Sequence, residues 1–444
     1  MPSYEGVALY HRASVLLLKL ISALQERATT LYLSFASFIS EKHCNTLTAE
    51  IPFRDPIANA DMACATRFMW TCVLLFASTL GLSYRTDKFT VLAHARDAKE
   101  TYDYVIIGGG TSGLTVADRL SEDRKTTVLV IEYGTLDDAP IIDELQAWFL
   151  IQITQPQLFY NITSVPQPSL RNRAFPILIG KTVGGSSAVN AMMAIRGSKQ
   201  DYDQWGALFS KSSPWTWEGM LPYFKKAVRF TPPDPALAPV IPNDPALWGK
   251  TSGVHAAWPS FQYPATFAQV QTWKDMPGVN FRPDSGTGVP GLYWYPTFMS
   301  PTNGTRSYAR TGHWENIPRP NYHLLTRSKV DKILLHGTTA YGVKFTSLTD
   351  GLTTGSIRAN KEVILAAGAI HSPQIMQLSG LGPKSLLESA NITVTVDLPG
   401  VGQNFQDHIS LSANFTCKRK YSIQLLALPP STSRSLTDLS QIST

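Results

Sequence analysis

The chain has 444 residues, of which 43% are hydrophobic and 16% charged, and this length and balance are typical of a globular protein with two packed domains. The formal net charge of +6 comes from scattered Lys and Arg, and no basic run alternates with aromatic residues, so nucleic acid is not an expected partner. The four cysteines include no C-x-x-C pair and no cluster with histidine at metal-ligand spacing, so no metal site is expected.

The N-terminal part of the sequence predicts an extension and a targeting segment. Residues 1–61 contain Leu- and Ser-rich stretches without a motif, and they are either the product of an upstream start in the gene or an amphipathic extension. Residues 62–95 combine Met62, the uncharged run 68–84 and a small-residue sequence at 93–95, an order typical of a secretory signal peptide. The run is at the short end for a spanning helix, so a membrane anchor is the alternative.

Four N-x-[ST] sequons lie further along the chain, and such triplets are acceptors for N-linked glycans in secreted proteins. Together with the signal-like segment they predict a secreted glycoprotein, and anchoring to a membrane through residues 68–84 is the alternative. The glycosylation candidates are Asn161, Asn303, Asn391 and Asn414.

A strand, a glycine turn, a helix and a second strand are predicted between residues 104 and 132. An apolar run over 104–107 ends at a G-x-G-x-x-G sequence, residues 114–120 carry apolar side chains at helical spacing, and a second apolar run over 128–131 ends at an acid. This order of elements is the one that a dinucleotide-binding site requires.

The residues of this motif have distinct physical roles in holding a dinucleotide. Gly108 allows the tight turn, Gly110 leaves room for the pyrophosphate, and Gly113 lets the helix pack closely on the strand. The N–H groups at the start of the helix would face the phosphates, and Glu132 would accept hydrogen bonds from a ribose diol.

Further segments resemble the glucose-methanol-choline (GMC) family of flavoprotein oxidoreductases. Residues 180–197 resemble the first signature of that family, residues 368–382 resemble the second, and residues 398–408 look like a third block. Two more segments, 303–307 and 319–326, are similar to its fungal members. The likeness extends from about residue 101 to residue 417, and the cofactor that it implies is FAD rather than NAD.

The resemblance implies an α/β fold with two domains. A doubly wound, Rossmann-like FAD-binding domain would be joined to an α+β substrate domain that is built on an antiparallel sheet and incomplete at the C-terminus. The expected segments are 101–202 (FAD-binding domain, first part), 203–320 (substrate domain and FAD-covering segment), 321–416 (FAD-binding domain, second part) and 417–444 (divergent tail).

The resemblance also implies a set of cofactor contacts beyond the glycines. Thr111 and Ser112 would follow the glycines at the pyrophosphate, and Glu132 with Tyr133 would lie at the ribose. The backbone of Val330 would meet the adenine. The residues expected near the isoalloxazine ring are Asn190, Ala191, Met192 and Met193, with plain core packing as the alternative for the two methionines.

The catalytic base is not identified in this sequence. In the family it is a histidine of a C-terminal block expected well beyond residue 408, whereas this chain ends at Thr444, and none of its nine histidines sits in that context. Ser372 and Pro373 predict a helix start, with Ser372 as N-cap. His371 therefore precedes a helix and His408 ends the third block, so both are expected to be structural or flavin-adjacent.

The predicted function is FAD-dependent oxidation of a small-molecule alcohol, with a place in fungal secondary metabolism. Family members transfer a hydride from the carbinol carbon to the flavin while a base removes the hydroxyl proton. Two alternatives stay open: a truncated, catalytically inactive homologue, and a cyclase or synthase that uses the GMC fold for non-redox chemistry.

Overall fold

The computed structural model describes residues 91–407 except Gln146 and Lys211. The predictions for residues 1–61, for most of 62–95 and for 417–444 concern residues outside this part, as do those for His408 and Asn414. Within the described residues, no helix combines the length and the apolar character that crossing a membrane requires.

The secondary structure of the described part begins with strands and then alternates between helices and strands. The strands are β1 (Val91–Leu92), β2 (Thr101–Ile107), β3 (Val128–Ile131), β4 (Arg229–Phe230), β5 (His255–Ala256), β6 (Tyr322–Leu325), β7 (Ser328–His336), β8 (Thr339–Ser347), β9 (Thr354–Leu365), β10 (Leu381–Gly382) and β11 (Val396–Asp397). The helices are α1 (Thr111–Leu120), α2 (Pro140–Asp143), α3 (Trp148–Thr154), α4 (Lys199–Phe209), α5 (Trp217–Ala227), α6 (Pro264–Lys274), α7 (Ala309–His313), α8 (Gly368–Leu378) and α9 (Lys384–Ser389).

One seven-stranded sheet organises this part of the chain, in the order β1-β6-β3-β2-β9-β8-β7. The neighbouring pairs β1–β6, β6–β3, β3–β2 and β2–β9 are parallel, whereas the pairs β9–β8 and β8–β7 are antiparallel. In the register, Ile107 at the end of β2 lies between Ile131 of β3 and Leu365 of β9. The carboxyl ends of these three strands therefore meet at one edge, which is where α/β sheets bind their ligands.

The sheet is covered on both faces, as parallel strands require. Alternate residues of β2 point to opposite sides, so Val105 and Ile107 enter one hydrophobic cluster while Ile106 enters another. That second cluster contains Leu114 and Ala117 of α1, and both side chains are fully buried. The apolar face predicted for residues 114–120 thus holds α1 against the sheet.

The start of α8 differs from the sequence-based prediction. The helix begins at Gly368 and has Pro373 in its interior, so the expected start at Ser372 is wrong. Gly368, three residues after the end of β9, adopts a φ of +82°, and this left-handed conformation starts the helix earlier than the Ser-Pro signal suggests. Pro373 has no backbone N–H to donate to the preceding turn of the helix. Ile375, two residues further on, is buried in the hydrophobic cluster on one face of the sheet.

The predicted fold class is confirmed as a mixed α/β sheet whose parallel core carries a βαβ unit, with antiparallel strands at one side. Residues 203–320 contribute α4, α5, α6 and α7 and the short parallel pair β4–β5, and they add no strand to the main sheet. The domain boundaries stay a prediction.

Candidate cofactor-binding site

The glycine turn after β2 has the shape of a phosphate cradle. A Cβ atom on Gly108, whose φ is +104°, would lie 2.6 Å from the main-chain oxygen of Ala366, and one on Gly113 would lie 1.9 Å from that of Gly108. These two glycines therefore serve close packing. At Gly110 the nearest atom would be the Cα of Gly185 at 3.7 Å, so this position is open and fits the approach of a pyrophosphate.

Helix α1 presents its N-terminus to the same place. Gly110 is the N-cap and offers no side-chain acceptor, and the first helical hydrogen bond runs from Leu114 N to Gly110 O at 3.1 Å. Thr111 and Ser112, the two residues predicted at the pyrophosphate, are exposed in this first turn. The uncapped N–H groups and the positive end of the helix dipole suit an anion.

Glu132 lies at the floor of the glycine turn and is 6% exposed. Its Oε2 accepts a hydrogen bond from Gly109 N at 2.7 Å, and its Oε1 accepts one from Gly134 N at 2.7 Å. Burial raises the pKa of this carboxyl group, against the lowering effect of the two N–H donors. Each carboxylate oxygen can accept a second hydrogen bond, so the group fits the predicted contact with a ribose diol.

The first-signature segment closes directly on the glycine turn. Gly184 N donates to Gly109 O at 2.8 Å, and a short 3₁₀ helix, Gly185–Ala188, follows. Gly185 has a φ of +55°, and a Cβ atom there would lie 2.7 Å from the Cα of Gly110. Two segments that are far apart in sequence thus meet backbone to backbone at the position expected for the cofactor.

The residues predicted near the isoalloxazine ring form a turn in which the two methionines diverge. Met192 has a φ of +62°, is 1% exposed and packs with Ala257 and Met299, as a core residue does, and its contact with the flavin stays a prediction. Met193 is 44% exposed, and Asn190 and Ala191 are exposed as well. A left-handed non-glycine residue stores backbone strain that its surroundings must hold.

Arg306 supplies much of that restraint, and the sequence analysis did not single it out. Its guanidinium is 1% exposed and donates to main-chain oxygens through Nε, to Ile142 at 2.7 Å, and through Nη1, to Asn190 at 2.9 Å. Burial lowers its pKa to about 10, so the group stays charged at neutral pH. In the sequence, the only indication that Arg306 matters was its place in the segment 303–307, which resembles fungal members of the family.

Three aromatic rings pack against one another, beginning with Tyr133, which directly follows Glu132 in the chain. Tyr133 stacks on Tyr160 with 5.6 Å between ring centroids and 13° between planes, and Tyr160 lies 4.2 Å from the ring of His371. All three rings are half-buried. The structure thus brings together Tyr133 and His371, which the sequence analysis had treated separately, and adds Tyr160, which it had missed.

Val330 lies on β7 opposite Phe345, at a point where the register of the β7–β8 pair shifts. Its side chain is 7% exposed and belongs to the same hydrophobic cluster as Ile107 and Ile131, the last residues of β2 and β3. The residue is therefore close to the binding edge of the sheet, and its contact with adenine stays a prediction.

Three histidines of the described part lie within hydrogen-bond distance of other side chains of this protein. Nδ1 of His313 lies 2.9 Å from Oδ2 of Asp118, and Nδ1 of His323 lies 2.8 Å from the hydroxyl of Tyr102. His94 pairs with Asp350 at 2.6 Å. These contacts give the three rings structural roles, and the catalytic base stays unassigned.

A cavity of about 400 Å³ lies beside the segment that contains Arg306. Charged side chains of both signs line it, among them Asp143, Arg310 and Glu315. None of the predicted cofactor residues lines this cavity, so it is distinct from the glycine turn.

Comparison with known proteins agrees with this geometry. The family model of GMC oxidoreductases matches residues 102–410. The dehydrogenase xptC of Emericella nidulans is 38% identical over 351 residues, which are 78% of this chain and 55% of xptC. The chain thus spans about half the length of the curated relatives that it matches.

Two solved structures are similar as well. An FAD-dependent oxidoreductase from Chaetomium thermophilum is 42% identical with a TM-score of 0.65, over 69% of this chain and 52% of that one. A fungal aryl-alcohol oxidase is 37% identical with a TM-score of 0.63, over the same shares. The chain therefore belongs to the GMC oxidoreductase family, whose members bind FAD.

Proposed function

We propose that the protein oxidises an alcohol at its CH–OH group with FAD as the hydride acceptor. The observation that carries the proposal is the contact between Gly184 of the first signature and Gly109 of the glycine turn, at 2.8 Å. It joins a phosphate cradle to the segment that characterises the family. The similarity to an aryl-alcohol oxidase and to bacterial choline dehydrogenases supports an alcohol as the substrate class.

The residues of this chain would hold the cofactor in a defined direction. The glycine turn and the start of α1 would bind the pyrophosphate, Glu132 would bind the ribose, and the turn that exposes Met193 would flank the isoalloxazine ring. Bound FAD supplies acceptance of a hydride from the carbinol carbon. The protein orients that carbon and removes the hydroxyl proton, for which a base near neutral pKa is best suited.

Anaerobic mixing of the FAD-loaded chain with alcohols tests the proposal. Primary aryl and aliphatic alcohols should bleach the visible absorbance of the bound flavin, and dithionite should bleach the same sample as a control. Bleaching by dithionite but by no alcohol would contradict alcohol oxidation and favour an inactive homologue or a non-redox enzyme. Air should restore the absorbance in an oxidase, whereas a dehydrogenase needs an added dye.

We also infer that the protein passes through the secretory pathway. The signal-like sequence at residues 62–95 supports this, and three sequons, Asn161, Asn303 and Asn391, are exposed where a glycosyltransferase could reach them. Expression in a fungal host should yield a protein whose mobility on a gel increases after endoglycosidase treatment. Retention of the unglycosylated chain inside the cell would contradict the inference.

A further inference from the structure

The first described residues of the chain belong to the main sheet. β1 pairs in parallel with β6, with Val91 opposite Leu324 and Leu92 opposite Leu325. The two partners on β6 are buried, at 0% and 2% exposure. β1 therefore covers the outer edge of β6, and without it unpaired backbone groups of β6 would face water.

The residues that follow β1 are bound to the connection between β8 and β9. Oδ1 of Asp350 lies 2.6 Å from Nδ1 of His94, and its Oδ2 accepts a hydrogen bond from Ala95 N at 2.9 Å. The hydroxyl of Ser347 donates to the same Oδ2 at 2.9 Å. These hydrogen bonds, first that from Ala95 N, lower the pKa of Asp350 to about 2, so the carboxylate is charged at neutral pH.

The same short segment also caps a helical turn and packs on the core. His94 is the N-cap of a 3₁₀ helix, and its backbone N–H donates to Oδ2 of Asp97 at 2.9 Å. Leu92 and Ala98, which flank this helix, pack against the hydrophobic cluster that contains Ile107. Removal of the chain up to residue 95 would thus take away an edge strand, a helix cap and two partners of the carboxylate described above.

The sequence of the signal-like segment is consistent with an earlier cut. Signal peptides have about 15–30 residues, with an apolar stretch of about 7–15 residues before small residues at the cleavage site. A signal peptide from Met62 to Ala95 would have 34 residues, and three charged residues would separate its apolar stretch from the small residues at 93–95. One from Met62 to Ser83 would have 22 residues, and the small residues Gly81 and Ser83 directly follow the apolar stretch.

We propose that the signal peptide is removed after Ser83, so that the mature protein starts at Tyr84 and retains β1. The proposal rests on the secretory route proposed above and places the cut at a different position from the small-residue sequence at 93–95. The step is hydrolysis of the peptide bond between Ser83 and Tyr84 by the signal peptidase of the secreting cell. Water supplies the hydroxyl of the new carboxyl group and a proton of the new amino group.

N-terminal sequencing of the secreted protein tests the cut. The full chain is expressed in a fungal host from Met1, and in parallel from Met62, because the predicted signal peptide is internal to the sequence. Protein from the medium should begin at Tyr84. A start at Arg96 would overturn the proposal, because β1 and the contacts of His94 would then be absent from the mature fold, and any other start would overturn the assignment of the cut.

Two matched variants place the same charged side chain at corresponding positions of the two candidate sites. Gly81→Glu should abolish the start at Tyr84, because the residue three positions before the cut must be small. Ala93→Glu should leave that start unchanged, and Ala93 is exposed, so the folded protein accommodates the substitution. The opposite pattern, with loss of processing in Ala93→Glu alone, would overturn the proposal.

The same experiment separates this inference from the secretory route on which it rests. Absence of the wild-type chain from the medium with both starts would overturn the secretory route and the cut together. A secreted wild type with an N-terminus other than Tyr84 would overturn the cut alone. FAD binding and alcohol oxidation do not enter the measurement, so an inactive protein tests the cut equally well.

Discussion

Nη1 of Arg306 lies 2.9 Å from the main-chain oxygen of Asn190 and 3.0 Å from its side-chain Oδ1. The same Oδ1 accepts a hydrogen bond from Met192 N at 3.0 Å, so a buried cation and a left-handed methionine share one acceptor. Arg306 thus restrains the turn that would flank the isoalloxazine ring. A planar fork of donors suits this task because several carbonyl oxygens converge on it.

Replacement of Arg306 by Lys should destabilise the protein and disturb the predicted flavin side of the site. A single ammonium cannot reproduce hydrogen bonds that diverge from one guanidinium, and leaving charged hydrogen bonds unmade in a buried site costs about 2–4 kcal/mol. Urea unfolding of Arg306→Lys measures the loss, with Arg171→Lys at an exposed position as control. A change in the visible spectrum of bound FAD is expected as well, and a spectrum and stability like those of the wild type would contradict the role.

Gly185→Ala should weaken FAD binding in addition to destabilising the chain. Its Cβ atom would lie 2.7 Å from the Cα of Gly110, so the glycine turn must move. Gly337→Ala is a matched control, because Gly337 has a φ of +58° against +55° and no atom within 4 Å of the added Cβ. The control should show only the backbone strain of about 1–2 kcal/mol. Equal FAD affinity of the two variants would show that the Gly185–Gly110 contact does not shape the site.

Local signals made the dinucleotide unit predictable from sequence. Glycine spacing and helical periodicity coincide there, and the helix expected over residues 114–120 is α1, Thr111–Leu120. These signals arise between residues that are close in sequence, so tertiary contacts did not change the elements that they predicted. At α8 the local Ser-Pro signal competed with the left-handed turn at Gly368, and the turn determined the start of the helix.

The contacts that complete the site could not be predicted in the same way. Arg306 binds carbonyl oxygens of Ile142 and Asn190, and a main-chain acceptor leaves no trace in the pattern of side chains. The fold also brings together the rings of Tyr160 and His371, which are 211 residues apart in the chain. The divergence of Met192 and Met193 likewise depends on the left-handed φ of Met192 rather than on either residue type.

Glu132→Ala should weaken FAD binding by about 1.5–3 kcal/mol, the usual value of a hydrogen bond to a charged acceptor. The variant removes the predicted ribose acceptor and also the partner of Gly109 N and Gly134 N, so a loss of stability is expected with it. Flavin titration of folded protein measures the affinity, with the exposed Glu144→Ala as control. Glu132→Gln preserves the shape of the side chain, and wild-type affinity in that variant would argue against a charged acceptor for the ribose.

Asp118 links α1, whose N-terminus faces the predicted phosphate position, to α7. Its carboxylate is 1% exposed, and it bonds Nδ1 of His313 at 2.9 Å and Nη1 of Arg319 at 2.7 Å. Burial raises its pKa, but the hydrogen bonds from His313 and Arg119 and the charge of Arg319 outweigh that effect, so the pKa is lowered from 3.8. A carboxyl group whose pKa is lower in the folded state stabilises that state above its unfolded pKa and loses this contribution as the pH falls through the folded value.

Acid unfolding of Asp118→Asn therefore tests the network. The wild type should lose stability below a pH of 3.8, whereas the variant should be less stable at neutral pH and lose less on acidification. Removing one partner of a buried charge pair typically costs about 3–5 kcal/mol, and this should appear in the urea midpoint at pH 7. Glu388→Gln, at an exposed acid that lies 3.9 Å from Lys384, serves as control. Parallel stability curves for Asp118→Asn and the wild type between neutral and acid pH would show that Asp118 is not the group responsible, and the pairing of α1 with α7 would then need another explanation.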